Sequence, residues 1–303
     1  MKIFMNFEKV KSYLGLIAVT IIWGSSFVSS KLVLTVLPPM SLAFMRYLFS
    51  FVVLFLFFLI FEKDKTLAKK DYLNLGLSSG IGIFIYFIGE YNALNYISAS
   101  TASIIVSLLP VFMLITNFFL FNEGVTPLKV IVILLTLVGV GLVVETDLRT
   151  LFEQSVIGYS LMTMGVLAWV VFSISTVELR KNNSNLKVIT YQAGLALLLF
   201  APFAVSNFDK ILSLNQSHWL NIFYLGAIAS GLAFYLYVNA IKTLGTLIAA
   251  VFGNLLPVVT IITGYIFLDE RLSLTQISGG ALIIIVLMFY GFYQNGKKEI
   301  RND

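Results

Sequence analysis

Cysteine is absent from the 303 residues, and histidine occurs once, as His218. Without cysteine there is no disulfide, no thiolate nucleophile and no thiolate-held metal. A single imidazole excludes a multi-histidine metal site or proton relay. Charge is scarce too: Asp, Glu, Lys and Arg make up 12% of the chain, about half the share in soluble domains. Apolar residues make up 59% of the chain, with a mean hydropathy of +0.94. These values describe an integral membrane protein, and its loops are too short to hold a soluble domain. Lys9 and Lys11 precede an apolar run as in a signal peptide. No convincing small-residue cleavage site follows, so a retained first helix is expected.

The chain repeats itself. Leu108-Leu109-Pro110-Val111 recurs 147 residues on as Leu255-Leu256-Pro257-Val258. At the same offset Asn92-Ala93-Leu94 recurs as Asn239-Ala240-Ile241, and Asn122-Glu123 as Asp269-Glu270. Several matches at one spacing mean a unit of about half the chain used twice. Pro110 and Pro257 each lie near the middle of an apolar run long enough to cross a bilayer. A helix there loses the bond to the carbonyl four residues back, at Val106 and Gly253. In lipid, such a carbonyl survives only where other groups or a cavity satisfy it. Interrupted helices at matching positions of two halves point to a transport site.

Crossing takes about 20 apolar residues, and breaks at charge clusters and Pro, Gly or Asn stretches divide the chain into ten spans. They run roughly over 13–33, 41–61, 72–93, 98–120, 127–144, 155–177, 188–206, 219–239, 246–268 and 275–293. With the N-terminus inside, fifteen Lys and Arg residues fall on the inner side. Five fall outside or near the outer ends: Lys31, Arg46, Arg149, Lys210 and Arg271. This bias places both termini in the cytoplasm. The net charge of +5 is then a topology signal with a weaker affinity for anionic lipid, and no nucleic-acid footprint. Five spans per unit is an odd number, so the second unit enters the membrane upside down. The expected fold is an all-α integral membrane protein of ten transmembrane helices, built as two inverted five-helix repeats (13–145 and 155–293) around a central cavity.

The first half carries Trp23-Gly24-Ser25-Ser26-Phe27, Lys31, Pro38-Pro39 and Arg46-Tyr47. It continues with Ala93-Leu94-Asn95-Tyr96-Ile97-Ser98-Ala99-Ser100, Leu109-Pro110-Val111, and Phe121-Asn122-Glu123 followed by Thr126. The second half repeats the later parts as Leu255-Leu256-Pro257 and Leu268-Asp269-Glu270-Arg271-Leu272-Ser273. In order and spacing this resembles the EamA family of the drug/metabolite transporter superfamily, over nearly the whole chain as two units. The resemblance implies ten helices around a cavity lined by helices 1–4 and 6–9, with 5 and 10 peripheral. It also implies movement of small organic solutes, often outward, without ATP. The family often has an acidic residue just before the second proline; here it is Leu256, so the resemblance supplies no coupling carboxylate at that position.

Polar groups in hydrocarbon need a reason. Trp23, Ser26 and Ser30 share one face of the first span; Trp169, Ser173 and Thr176 share one face of the sixth. Both faces suit a cavity wall, and small hydroxyl residues equally permit close helix packing. On the fourth span Ser100, Ser103, Ser107, Pro110 and Asn117 form a stripe, matched on the ninth by Ala250, Asn254, Pro257 and Gly264. Asn117 and Asn254 are candidates for substrate contact or for interhelical hydrogen bonds. Asn92 and Asn239 near span ends fit helix termination as well as binding. Glu90 is the one carboxylate well inside an apolar run, matched at the 147-residue offset by Tyr237. It either couples protons or binds a cation, or else snorkels outward or pairs with Arg46 or Lys31. Lys31 reads as a helix anchor; Arg46 reads equally as an anchor or as an anion receptor, with Tyr191-Gln192 in the corresponding region of the second unit.

Glu123, Asp269 and Glu270 read as solvated loop charge. Gly76-Leu77-Ser78-Ser79-Gly80 matches the G-x-S-x-G pattern but lies inside an apolar span without a histidine partner; Gly76 and Gly80 read as a close-packing pair. The expectation is a secondary transporter of the plasma membrane that moves a small organic metabolite by alternating access. An amino acid, exported, is the first choice of substrate, and a drug or organic cation the alternative. An intramembrane enzyme or passive channel fits less well. No cofactor is expected; the partners are the small-molecule substrate and membrane lipids, with proton coupling as one of the alternatives open for Glu90. A monomer suffices, and a dimer is compatible.

Overall fold

The computed structural model describes residues 7–97, 99–122, 124–144, 156–205, 207–268 and 273–299, and among them every regular element is helical. The helices are α1 (Phe7–Leu34), α2 (Pro39–Phe61), α3 (Lys69–Ala93), α4 (Ala99–Val106), α5 (Leu109–Phe121) and α6 (Pro127–Val144). They continue as α7 (Val156–Leu179), α8 (Asn185–Val205), the short α9 (Phe208–Leu212) and α10 (Gln216–Leu244). The last are α11 (Thr246–Phe252), α12 (Leu256–Leu268) and α13 (Leu274–Glu299). Seven helical stretches among the described residues are long and apolar enough to cross a membrane; Leu109–Phe121, Pro127–Leu142 and Ile277–Tyr290 are shorter apolar helices. The outer surface is apolar, with Ile60 72% and Phe119 72% exposed, as a lipid-facing surface requires. Glu123, Asp269 and Glu270 lie outside the described residues.

Local chemistry explains the helix ends and breaks. Pro39 sits in the first turn of α2, where its fixed φ suits a helix start and its missing N–H is not needed. The lone histidine caps α10: Asn215 accepts from the His218 amide at 3.0 Å, and His218 Nδ1 accepts from the Asn215 amide at 3.4 Å. At the first Leu-Leu-Pro-Val the chain leaves the helix after Val106 and resumes at Leu109, with Pro110 in the first turn of α5. At the second it tightens into a 3₁₀ turn, Gly253–Leu255, before α12. There the Leu256 amide donates to Gly253 O, three residues back, so the carbonyl freed by Pro257 finds a nearer donor.

The 147-residue repeat is physical as well as textual. A nine-residue π-helical stretch interrupts α3 at Leu77–Ile85 and another interrupts α10 at Tyr224–Leu232. The starts of α5 and α12, of α4 and α11, and of α6 and α13 fall at that same offset. Packing repeats with the halves exchanged: α1 lies against α10 and α12, and α7 lies against α3 and α5. α2 pairs with α8, and α6 with α13. The two sequence units are therefore interleaved rather than side by side.

Close approach is carried by glycines other than those expected. A Cβ at Gly76 or Gly80 would meet nothing within 4 Å, so these two are not a packing pair. The π stretch shifts the helical phase and turns Gly82 toward α7 instead, where a Cβ would lie 2.6 Å from Phe172 Cβ. Ser78 Oγ donates to Leu75 O at 3.1 Å inside this helix, so the G-x-S-x-G match forms no nucleophile elbow.

Candidate functional site

A cavity opens at the centre of the helices, where both proline breaks meet it. Val106 and Gly253, the residues whose carbonyls the prolines free, both line it, as do Leu109 and Leu256 just before each proline. A helix break inside a membrane must face protein or a cavity, and these breaks do. One side of the wall comes from α1, α10, α11 and the 3₁₀ turn, with Trp23, Ser26, Phe234 and Tyr237; the other comes from α3, α4, α5 and α7, with Tyr86, Glu90 and Trp169. Arg46 enters from α2. The volume left for a ligand is about 50 Å³, room for a few waters and far below a drug-sized site of several hundred Å³.

Aromatic rings close this space. The Trp23 and Trp169 rings meet edge to face at 5.3 Å, and Tyr237 lies 5.2 Å from Trp23 and 5.7 Å from Trp169. Phe234 and Tyr86 complete the group, at 5.6 Å from Trp23 and 4.9 Å from Trp169. Hydrogen bonds fix the indoles. Trp23 Nε1 donates to Ala229 O at 2.8 Å, a carbonyl of the second π stretch, and Trp169 Nε1 donates to Tyr237 Oη at 3.3 Å. Ser173 Oγ is 3.2 Å from the same Tyr237 hydroxyl, one step behind the wall. The π stretch thus orients cavity side chains that a regular helix would turn elsewhere.

Among the described residues, two charged groups face the cavity, both almost fully buried. Arg46 is 3% exposed; its Nε donates to Ser230 Oγ at 2.5 Å and its Nη1 to Tyr91 Oη at 2.9 Å, with the guanidinium 4.8 Å above the Phe87 ring. Glu90 is 4% exposed and lies one turn along α3 from Tyr86, whose side chain shares the cavity wall. Neither snorkels. Arg46 and Glu90 are within electrostatic reach of each other, yet they form no direct ion pair within 4.0 Å. Lys31 is exposed near the end of α1, where an anchor belongs.

Of the residues singled out in the sequence, Trp23, Ser26, Arg46, Glu90 and Trp169 come together on the cavity wall. The stripe on α4 and α5 does not. Ser107 Oγ donates to Ser103 O at 3.0 Å along its own helix, and the wall there is Val106 and Leu109. Asn117 bonds Thr246 Oγ1 at 3.3 Å, and Asn254 donates to Thr136 Oγ1 at 2.8 Å. Gln192 donates to Thr176 Oγ1 at 2.8 Å, and Asn239 accepts from Asn185 at 3.1 Å. All four amides join helices away from the wall. Asn239 also does not end its helix, which continues to Leu244 and stops at Gly245 with φ +90°. Pro110 and Pro257 are buried beside the breaks. Sequence reading missed Tyr86, Phe87 and Phe234 on the wall; the Tyr86–Glu90 spacing of one helical turn was the available signal.

The comparisons with known proteins agree with this architecture. The family model "EamA-like transporter family" matches twice, at residues 10–145 and 156–292. The uncharacterized transporter YetK of Bacillus subtilis (strain 168) is 26% identical over 283 residues, 91% of this chain and 86% of its own. A protein of Escherichia coli (strain K12) named "Probable amino-acid metabolite efflux pump" is 24% identical over 294 residues, 93% of this chain and 95% of its own. A solved crystal structure superposes with a TM-score of 0.70 at 20% identity, covering 91% of this chain and 94% of that one. Two family matches that together span nearly the whole sequence place this chain in the EamA-like transporter family.

Proposed function

We propose that this transporter exports a small organic metabolite across the plasma membrane by alternating access, with substrate held in the central cavity. The observation that carries the proposal is the meeting of both proline breaks, one from each repeat, on a single cavity whose wall divides between two helix groups. One group is α1, α10, α11 and α12; the other is α7, α3, α4 and α5. Each group mixes both repeats, so the rocking bodies are these bundles and not the sequence halves. The swap of packing partners between halves supports two repeats related by a pseudo-two-fold axis. With ten crossings and cytoplasmic termini, that axis lies in the membrane plane. The cavity is too small for an organic solute, so the bundles must part to admit one. The names of the relatives from Escherichia coli and Salmonella typhimurium, both "Probable amino-acid metabolite efflux pump", favour an amino-acid-like substrate. An organic cation is the second reading, favoured by the aromatic box around Glu90.

Counterflow in proteoliposomes tests this function. Internal unlabelled substrate should accelerate uptake of external label, because a loaded cavity returns faster than an empty one. Label entry indifferent to internal substrate would make the protein a channel.

A further inference from the structure

A furrow between α3 and α7 lies outside the central cavity and opens on the apolar outer surface. Ile81 and Ile85 of the first π stretch form one side and residues 159–171 of α7 the other, around a volume of about 610 Å³. Ile81 is 40% and Leu167 47% exposed, so the furrow is reached from the membrane. Glycines hold the two helices too close to slide: a Cβ on Gly89 would lie 2.5 Å from Leu161 O.

Polarity is ordered along the furrow. Tyr159, Ser160 and Thr163 stand at the Val156 end of α7, and beyond Thr163 every lining residue is apolar. From Tyr159 to Val171 the furrow runs about 18 Å along the helix, little more than half of a hydrocarbon core about 30 Å thick. Since α7 is long enough to cross that core, the furrow begins near one membrane surface and ends near the midplane. Among the described residues, the Ser160 and Thr163 hydroxyls have no hydrogen-bond partner. Ser173 on the same helix, by contrast, bonds back to Trp169 O at 3.0 Å. An unpaired hydroxyl facing hydrocarbon is costly.

The second repeat covers the matching place with its own side chain. α10 matches α3 at 147 residues, and the Trp23–Trp169 pair aligns α1 with α7. Leu77 then corresponds to Tyr224, and Ala168 and Val171 correspond to Ile22 and Ser25. The Tyr224 hydroxyl lies 2.6 Å from Ser25 Oγ and donates to Ile22 O at 2.8 Å. Leu77 has no group that can make this bridge, so the first repeat leaves its furrow to an outside occupant.

We propose that the furrow binds one phospholipid of the surrounding bilayer. Ser160 and Thr163 donate to its glycerol-ester oxygens, and one acyl chain lies along Leu167, Val171, Ile81 and Ile85. A lipid has the same order of polarity and the depth of a single leaflet, whereas a partner helix would run through both leaflets. No charged side chain lines the furrow, so the headgroup charge is not selected. The site stands apart from the central cavity and from whatever that cavity carries.

The test is native mass spectrometry of the purified full chain, exchanged into detergent from nanodiscs of equimolar phosphatidylethanolamine and phosphatidylglycerol. One phospholipid per chain, of either headgroup, should survive the exchange. The Ser160→Ala/Thr163→Val protein should hold it about tenfold more weakly, the effect of two lost neutral hydrogen bonds. Leu167→Trp fills the furrow from an exposed position and should remove the lipid; Leu198→Trp, at a 69% exposed site on α8, should keep it. A parent protein that carries no lipid would overturn the proposal, as would equal retention by Leu167→Trp. Retention of phosphatidylglycerol alone would move the lipid to a basic surface and overturn it too. Dimers of the parent that are lost in Leu167→Trp would make the furrow an interface between copies, against the proposal.

Discussion

Replacing Gly226 by alanine should damage the protein at the contact that holds Arg46 in place. A Cβ at Gly226 would lie 2.5 Å from Phe49 Cβ and 2.6 Å from Arg46 O, where ordinary contacts are 3.4–4 Å. Neither neighbour can yield freely: one is the root of a side chain and the other is helical backbone. α10 must therefore back away from α2 by about 1 Å. Overpacking of this kind costs about 1–3 kcal/mol, and each kcal/mol lowers the apparent Tm by about 2–4 °C in a chain of this order of size. Ser230, one turn along α10, moves with Gly226 and loosens its 2.5 Å bond to Arg46, so counterflow should slow as well. The control is Gly80→Ala in the other π stretch, where a Cβ meets nothing within 4 Å; it should be neutral or gain up to about 1 kcal/mol. Melting both variants in detergent measures the difference. A Gly226→Ala protein as stable as its parent, or an equal loss at Gly80, would refute the close-packing argument.

Other expectations follow from residues outside the cavity. The 62–68 loop is strapped to the start of α8 by contacts of Glu62 with Ser184, Asp64 with Lys187 at 2.7 Å, and Lys65 O with Tyr191 at 2.6 Å. The Lys187 ammonium and Thr66 hold the Asp64 carboxyl below its usual range. A depressed carboxyl stabilises the strap at pH above its unfolded value, and that contribution is lost as pH falls through the folded value. Hydrogen exchange of the 62–68 amides, corrected for intrinsic rate, should stay constant from pH 8 to 5 and rise only below about pH 4; a rise already at pH 6 would rule out Asp64 as the anchor. Asn254→Ala should lower stability by about 1–2 kcal/mol through the lost Thr136 bond while leaving counterflow unchanged, since Asn254 does not reach the cavity; slowed counterflow at unchanged fold would put the amide back in the site.

What could be read from the residues depended on how local the physics is. A proline removes one specific bond, so the breaks and their 147-residue spacing were visible directly. A charge within an apolar run is costly anywhere, so Glu90 and Arg46 stood out as well. The hydroxyl and amide stripes were ambiguous for a physical reason: a polar side chain that bridges two helices and one that faces a ligand have the same spacing on their own helix. Only the packing showed Asn117 reaching Thr246 and Asn254 reaching Thr136. In helices apolar on every face, periodicity also says nothing of which side faces inward, so Tyr86 and Phe234 were not separable from their neighbours. The π stretches had no local signature beyond small residues, yet they turn Gly82 into a packing contact and bring the Ala229 carbonyl to Trp23.

The rocking proposed for the two bundles can be tested by cross-linking, because the chain contains no cysteine. Asn117 on α5 and Thr246 on α11 touch across the two bundles at 3.3 Å and lie off the cavity wall. The measurement is substrate counterflow by the Asn117→Cys/Thr246→Cys protein, reduced and then oxidised. Alternating access predicts that the reduced protein and each single variant transport, that oxidation stops counterflow, and that reduction restores it. Undiminished counterflow through fully cross-linked protein would contradict the account.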